Sequence, residues 1–316
     1  MLIELRSGKS QQELAMIWSR SHFRSLQAIA LTGVALIACS AAFAQKAIER
    51  VSVESSASQE PRANRIQFEY VPPQNPSLDH VYTHVRAGQG LEKIQQLFSP
   101  FRLPTDLTVK TVECGRSNAW YQRPTVTICY EYLDEIWQGA PKGVGPAGVT
   151  PVDAVVGQFF YVVAHEFGHA MFDLLQVPSF GSAEDAADEF STFMMLHLGK
   201  EDARRLISGA AYSYRSAVQD SASFVALQAF SDMHSMPAQR FYNLLCIAYG
   251  ADPTTFAYVV EQKYLPDARA RDCKREYDEV AFAFKKLVGP HLDEALAQQM
   301  LHKEWLPPES PKPIGN

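Results

Sequence analysis

The chain has no cluster of Lys and Arg and no long run of charge of either sign. Its 29 basic and 35 acidic side chains leave a net charge of −6 at pH 7. Nucleic acid is gripped through its phosphates by grouped Lys and Arg, so it is not an expected partner. No Cys-x-x-Cys pair occurs among the five cysteines, which removes the usual thiolate grip on a metal ion. No internal repeat is visible, which excludes a repeat architecture. The rest is ordinary globular composition, 47% hydrophobic and 20% charged over 316 residues. That is enough for one large core or two closely packed lobes.

The N-terminus carries an address. Arg20 and Arg24 precede an uncharged apolar stretch from Leu26 to Ala44, which ends in Ala41-Ala42-Phe43-Ala44-Gln45. A basic flank, a short apolar segment and an A-x-A end describe a secretory signal peptide over 1–44, cleaved after Ala44. The residues before Met16 add nothing a leader needs, which makes Met16 a candidate start. Two alternatives stand beside this reading. An uncleaved stretch would anchor the chain as a membrane helix. Leu36-Ile37-Ala38-Cys39 matches a bacterial lipoprotein cleavage box, which would leave Cys39 lipidated at a membrane. All three put the remaining chain outside the cytoplasm, periplasmic or secreted, with membrane contact only through a lipidated Cys39 or an uncleaved signal. Past the leader, Cys114, Cys129, Cys246 and Cys273 form an even set suited to an oxidising compartment. Of the three possible pairings, Cys114 with Cys129 and Cys246 with Cys273 is favoured, because each pair is close in sequence and encloses a turn.

Residues 45–63 are Ser-, Ala-, Gln- and Glu-rich without apolar period, which predicts a flexible tether. A globular domain is expected over 64–305 and a disordered, proline-rich tail over 306–316. Alternation predicts a strand over 65–71, helical spacing covers Leu91, Ile94, Leu97 and Phe98, and 107–130 reads as an antiparallel strand pair clamped by Cys114 and Cys129. A Gly- and Pro-dense loop follows over 139–148, and helices dominate from there, giving an α+β pattern.

Thr150-Pro151-Val152-Asp153 is a strong helix start, and the helix is expected to end near Gln176, ahead of Pro178. It is apolar nearly all round, as a buried helix is. Within it stands His165-Glu166-Phe167-Gly168-His169. Residues four apart share a helix face, so both imidazoles reach one metal ion, and Glu166 stands beside them to touch metal-bound water. Zinc brings the pKa of such water to roughly 7. Three polar groups in an apolar helix interior are costly without a strong partner, and a metal supplies one. Gly168 leaves room for a close neighbour. A second helix is expected from a capping sequence at Ser182-Ala183-Glu184-Asp185 to a stop at Gly199, with Glu184 and Asp188 on one face.

His-Glu-x-x-His followed by Glu184-Asp185-Ala186-Ala187-Asp188 resembles the gluzincin arrangement of two helices. It also resembles an uncharacterised bacterial metallopeptidase family within that group, over most of the chain after the leader, including Gln239-Arg240-Phe241-Tyr242-Asn243 and Cys246. The resemblance implies a zincin-like fold, with a small mixed or antiparallel sheet packed on the His165 helix and a mainly helical region after it. It implies Zn²⁺ held by His165, His169 and Glu184, with Asp188 steadying His165 through its other ring nitrogen; Asp188 is the alternative ligand. Asn118-Ala119-Trp120-Tyr121 is similar to the edge-strand segment with which thermolysin-like peptidases bind the substrate backbone, although an ordinary turn fits four residues equally well. His234, oriented by Asp232, would stabilise the oxyanion, with Tyr212, Tyr214 and Tyr242 as unranked alternatives. The implied activity is hydrolysis of peptide or protein substrates by zinc-bound water, with Glu166 as general base. A non-catalytic, zinc-stabilised envelope binding module is the alternative.

Overall fold

A computed structural model describes residues 60–219 and 227–306, all within one unit of the chain, Ser58–Asn316. The leader expected over 1–44, most of the tether and the tail beyond Leu306 lie outside the described residues. Four strands, β1 (Ile66–Tyr70), β2 (Leu107–Val112), β3 (Ala119–Gln122) and β4 (Thr125–Cys129), form one sheet in the order β1-β2-β4-β3. β1, β2 and β4 run parallel, and β3 runs antiparallel to β4.

This corrects one expectation. The antiparallel pair within 107–130 is β3 with β4, whereas β2, which was expected to be a member of it, lies parallel to β4. The short β3 carries the chain back before β4 begins, so β4 returns in the direction of β2. An alternating pattern tells which face is buried but not the direction of the neighbouring strand. β2 buries Leu107, Val109 and Thr111, while β4 is buried from Val126 to Cys129, as a central strand should be. Cys114 is bonded to Cys129, joining the chain just past β2 to the end of β4, and Cys246 is bonded to Cys273.

Helices make up most of the remainder: α1 (Asp79–Ala87), α2 (Gly90–Phe98), α3 (Tyr130–Gly139), α4 (Pro151–Leu174), α5 (Ala183–Leu196), α6 (Lys200–Tyr214), α7 (Ser216–Gln219), α8 (Pro237–Ala251), α9 (Ala257–Glu261), α10 (Asp267–Ala270), α11 (Cys273–Ala283) and α12 (Glu294–Leu301). The fold is α+β, a small mixed sheet with a mainly helical remainder. The described chain is held near both of its ends. Arg62 exchanges backbone hydrogen bonds with Leu103, and the Asp202 carboxylate accepts from the amides of Trp305 and Leu306. Among the described residues, no helix is long and apolar enough to cross a membrane.

α4 is the central helix. Thr150 caps it, its Oγ1 accepting from the Asp153 amide at 3.1 Å while Asp153 accepts from the Thr150 amide at 3.2 Å. Asp153 is also paired with Arg205 of α6 at 2.8 Å, and both are buried. Farther along the same contact, Gly157 and Gly209 let the two backbones meet. A Cβ on Gly209 would stand 1.8 Å from the Asp153 carbonyl oxygen, and one on Gly157 2.5 Å from that of Leu206. Backbone cannot swing aside as a side chain can. Gly209→Ala is therefore expected to cost about 3 kcal/mol, lowering the melting temperature by roughly 6–12 °C in a thermal scan. An unchanged melting point would show that the helices separate freely here.

Candidate active site

The site begins on α4. His165 and His169, four residues apart, turn the same way, and their Nε2 atoms stand 3.2 Å from each other. Gly168 lies on the side toward α5, where a Cβ would meet Ala187 at 3.2 Å and Phe190 at 3.3 Å. That close approach brings the first turns of α5 over the histidines. Ser182 starts α5 by accepting from the Asp185 amide, which sets Glu184 in the first turn. Glu184 Oε2 then lies 3.1 Å from His165 Nε2 and 3.3 Å from His169 Nε2. One turn later, Asp188 Oδ1 meets the other nitrogen of His165, Nδ1, at 2.7 Å.

The donor set fits a divalent ion. Two imidazole nitrogens and one carboxylate oxygen point at a common centre, all within 4.8 Å of one another. Ligands 2.0–2.2 Å from a tetrahedral zinc stand roughly 3.3–3.6 Å apart, close to the separations found here. Cys114, Cys129 and Glu131 also lie together, but their sulfurs are bonded to each other and offer no thiolate. Burial works against charge on His165, yet Asp188 and Glu184 outweigh it and raise its pKa to about 9. Burial and the neighbouring His165 depress His169. The hydrogen bond to His165 outweighs burial at Glu184 and holds it at about 2. Asp188 is also held at about 2, because His165 and Arg240 overcome the cost of burying it. So the cluster combines two carboxylates kept anionic with two adjoining imidazoles, a strong attraction for a cation.

Glu166, buried beside the histidines, is the exception among these acids. Burial lifts its pKa, with His165 and the Tyr121 amide pulling the other way. The Tyr121 contact ties Glu166 to a sheet edge, since β3 is one of the two outermost strands. The Asn118 carbonyl is taken by the Cys129 amide, so alternation turns the backbone groups of Ala119 and Tyr121 outward. The amide of Tyr121 serves Glu166. Ala119 and the carbonyl of Tyr121 face the open edge. Asp173, near the end of α4, holds β3 in place by accepting from Tyr121 Oη at 2.7 Å and from Arg123 Nε at 2.6 Å. Of the two edge residues singled out by sequence, Ala119 thus turns its backbone to the open edge, and Asn118 spends its carbonyl inside the sheet.

Residues 70–288 match a domain-of-unknown-function family described as "Putative metallopeptidase". The chain belongs to that family. The match covers more than half of the sequence and contains the whole cluster and both disulfides. No curated protein and no solved structure matches the chain significantly. Membership brings hydrolase chemistry, a metal ion and a peptide or protein substrate as the family's description implies.

In this metallopeptidase-family chain, the loop before α8 also reaches the cluster. His234 Nε2 lies 3.0 Å from Glu184 Oε2, its ring stacked at 6.3 Å on His165, and its Nδ1 is 2.9 Å from Asp232. Tyr212 and Tyr242 line a cavity with Phe241 and Tyr264, whereas the Tyr214 ring lies 5.2 Å beneath the Arg240 guanidinium. Arg240 is the residue to which sequence gave no role. It clasps Asp188 with Nε at 2.7 Å and Nη2 at 2.6 Å. Its signal was slight, one arginine in the first turn of a helix whose later residues are apolar.

On the outer side of α5, Glu189 is raised to about 7 by burial and by the charges of Asp185, Glu276, Asp188 and Glu279. A carboxyl raised in the folded state binds its proton more tightly there than in the unfolded chain. It therefore stabilises below pH 4.5, and that contribution is lost as pH rises through 7. Solvent reaches this side chain and screens the repulsion, leaving about 1 kcal/mol. Glu189→Gln is expected to raise the melting temperature at pH 8 by roughly 2–4 °C, the gain vanishing by pH 5. A gain of equal size at both values would locate its origin elsewhere.

Proposed function

We propose that this chain is an exported zinc peptidase with a zincin-like arrangement, in which His165, His169 and Glu184 hold the metal. The supporting observation is the convergence of His165 Nε2, His169 Nε2 and Glu184 Oε2 at 3.1–3.3 Å, with Glu166 beside them at an open sheet edge. Glu184 rather than Asp188 is the third ligand, because Asp188 gives one oxygen to His165 and both to Arg240. Export is supported by the basic and apolar leader and by the two disulfides.

A zinc ion held there supplies a Lewis acid that polarises the scissile carbonyl and acidifies water. The chain supplies the rest. Glu166, with its raised pKa, takes a proton from the attacking water and hands it to the departing amine nitrogen. Asp188 fixes His165 with Nδ1 protonated, leaving Nε2 free to ligate. Ala119 and Tyr121 offer edge backbone groups to an extended peptide. His234, held at Nδ1 by Asp232 with its Nε2 beside Glu184, would face the carbonyl oxygen as negative charge develops on it.

The test is elemental analysis of the purified protein beside Glu184→Ala, with casein cleavage measured on both. One zinc per wild-type chain, lost together with cleavage in Glu184→Ala, is the expected result. Zinc retained in the variant would move the third ligand elsewhere. Zinc bound by a wild type that cleaves nothing would leave a zinc-stabilised binding module.

A further inference from the structure

A cavity of about 450 Å³ lies beside the proposed centre, walled by Tyr132 and Glu135 of α3, Gln158 of α4, Tyr214 of α6, Arg215 and Arg240. Its connections to the site are direct. Arg240 binds Asp188, which binds His165. Gln158 lies two helical turns before His165, roughly 10 Å along the same face. Glu135 accepts from Ser117 Oγ, immediately ahead of the edge strand. An extended substrate advances about 3.3 Å per residue along that edge, so a long side chain one to three places from the scissile bond can span those roughly 10 Å.

One wall is incomplete. Gln158 is only 5% exposed. Its Nε2 donates to Tyr132 Oη at 2.8 Å, and the Tyr214 phenol stands beside the same amide. Its Oε1 is buried with no hydrogen-bond partner among the described residues. Buried amide oxygens in folded proteins almost always have one. Water can fill this role in the free protein, but a substrate side chain that displaces water must bring its own N–H or leave the oxygen unpaired. Arg240 is neutralised by Asp188, and the lining otherwise carries one charge of each sign, Glu135 and Arg215, the latter stacked 3.5 Å over Tyr212. A full charge gains nothing from such a lining. A group that donates to Gln158 and accepts from the tyrosine hydroxyls or Arg215 satisfies every wall.

We propose that this cavity is the side-chain subsite of the peptidase, and that it selects a neutral side chain ending in a carboxamide, glutamine or asparagine. The inference rests on the peptidase reading given above. Sites built around hydrogen-bonding a substrate group discriminate strongly against analogues that lack it.

Two measurements on the full chain test it. The first is mass-spectrometric profiling of cleavage in a proteome-derived peptide library with zinc present. Glutamine and asparagine are expected to be enriched at one fixed position beside the cut, and Gln158→Leu to replace them there by leucine and methionine, a swing on the order of a hundredfold. Gln158→Met serves as a second replacement if the leucine variant does not fold. An identical profile in wild type and folded variant would overturn the subsite. The second measurement needs no turnover. Two tetrapeptides differing only in glutamine or norleucine are titrated into Glu166→Gln and into Glu166→Gln/Gln158→Leu. The glutamine peptide is expected to bind about tenfold more tightly to the first and equally to the second. Cleavage without selectivity in either measurement leaves the peptidase and removes the subsite. Selective binding without any cleavage leaves the subsite and removes the peptidase. Equal or absent binding of both tetrapeptides to Glu166→Gln overturns the subsite.

Discussion

Glu166→Gln is expected to lower peptide hydrolysis by about 10²–10⁴-fold while the protein stays folded and keeps the zinc proposed for it. The two side chains have the same shape, and the glutamine oxygen can still accept from the Tyr121 amide that Glu166 engages. Only the capacity to take up and return a proton is lost. The burial that raises the Glu166 pKa suits that task, since a base that binds its proton moderately well also gives it back. Casein cleavage and elemental analysis on one preparation check the prediction. Activity within a few-fold of wild type would remove Glu166 from the proton transfer. Loss of zinc together with activity would make it part of the metal's surroundings instead.

The second large effect is expected one contact behind the metal ligands. Arg240→Met leaves the Asp188 carboxylate, only 13% exposed, without its guanidinium and held by His165 and the Tyr161 hydroxyl. Breaking a buried pair on one side costs about 3–5 kcal/mol, which lowers the melting temperature by roughly 6–20 °C in a chain of this size. His165 then loses its fixed orientation, and zinc affinity should fall by about 10–100-fold in a chelator competition. Adding Asp188→Asn to Arg240→Met should restore part of the stability, since no charge is left stranded, but not the zinc affinity. Recovery of both would mean that Asp188 does not hold His165.

What could be read in the sequence is what depends on short stretches of chain. The His165 helix declares its start through Thr150, Pro151 and Asp153, and the capping contacts there are all within four residues. The His165 and His169 faces coincide because any α-helix turns through little more than a full circle in four residues. The Cys114–Cys129 and Cys246–Cys273 bonds join near neighbours, 15 and 27 residues apart. Gly168 signalled a close neighbour without saying which one. Tertiary structure decided what depends on distant partners. β2 and β4 were legible as strands, but their parallel pairing followed from the path of β3 between them. Glu184 and Asp188 share a helix face and look equivalent as ligands. Arg240, 52 residues farther on, occupies both oxygens of Asp188, and the approach of α5 to Gly168 turns Glu184 toward the two histidines. Gln158 had no visible role at all, because an unpaired oxygen is a property of everything packed around it. Local hydrogen bonding and helical period act within a turn or two of chain, whereas the partners of a buried charge or amide are chosen by the packing of whole helices.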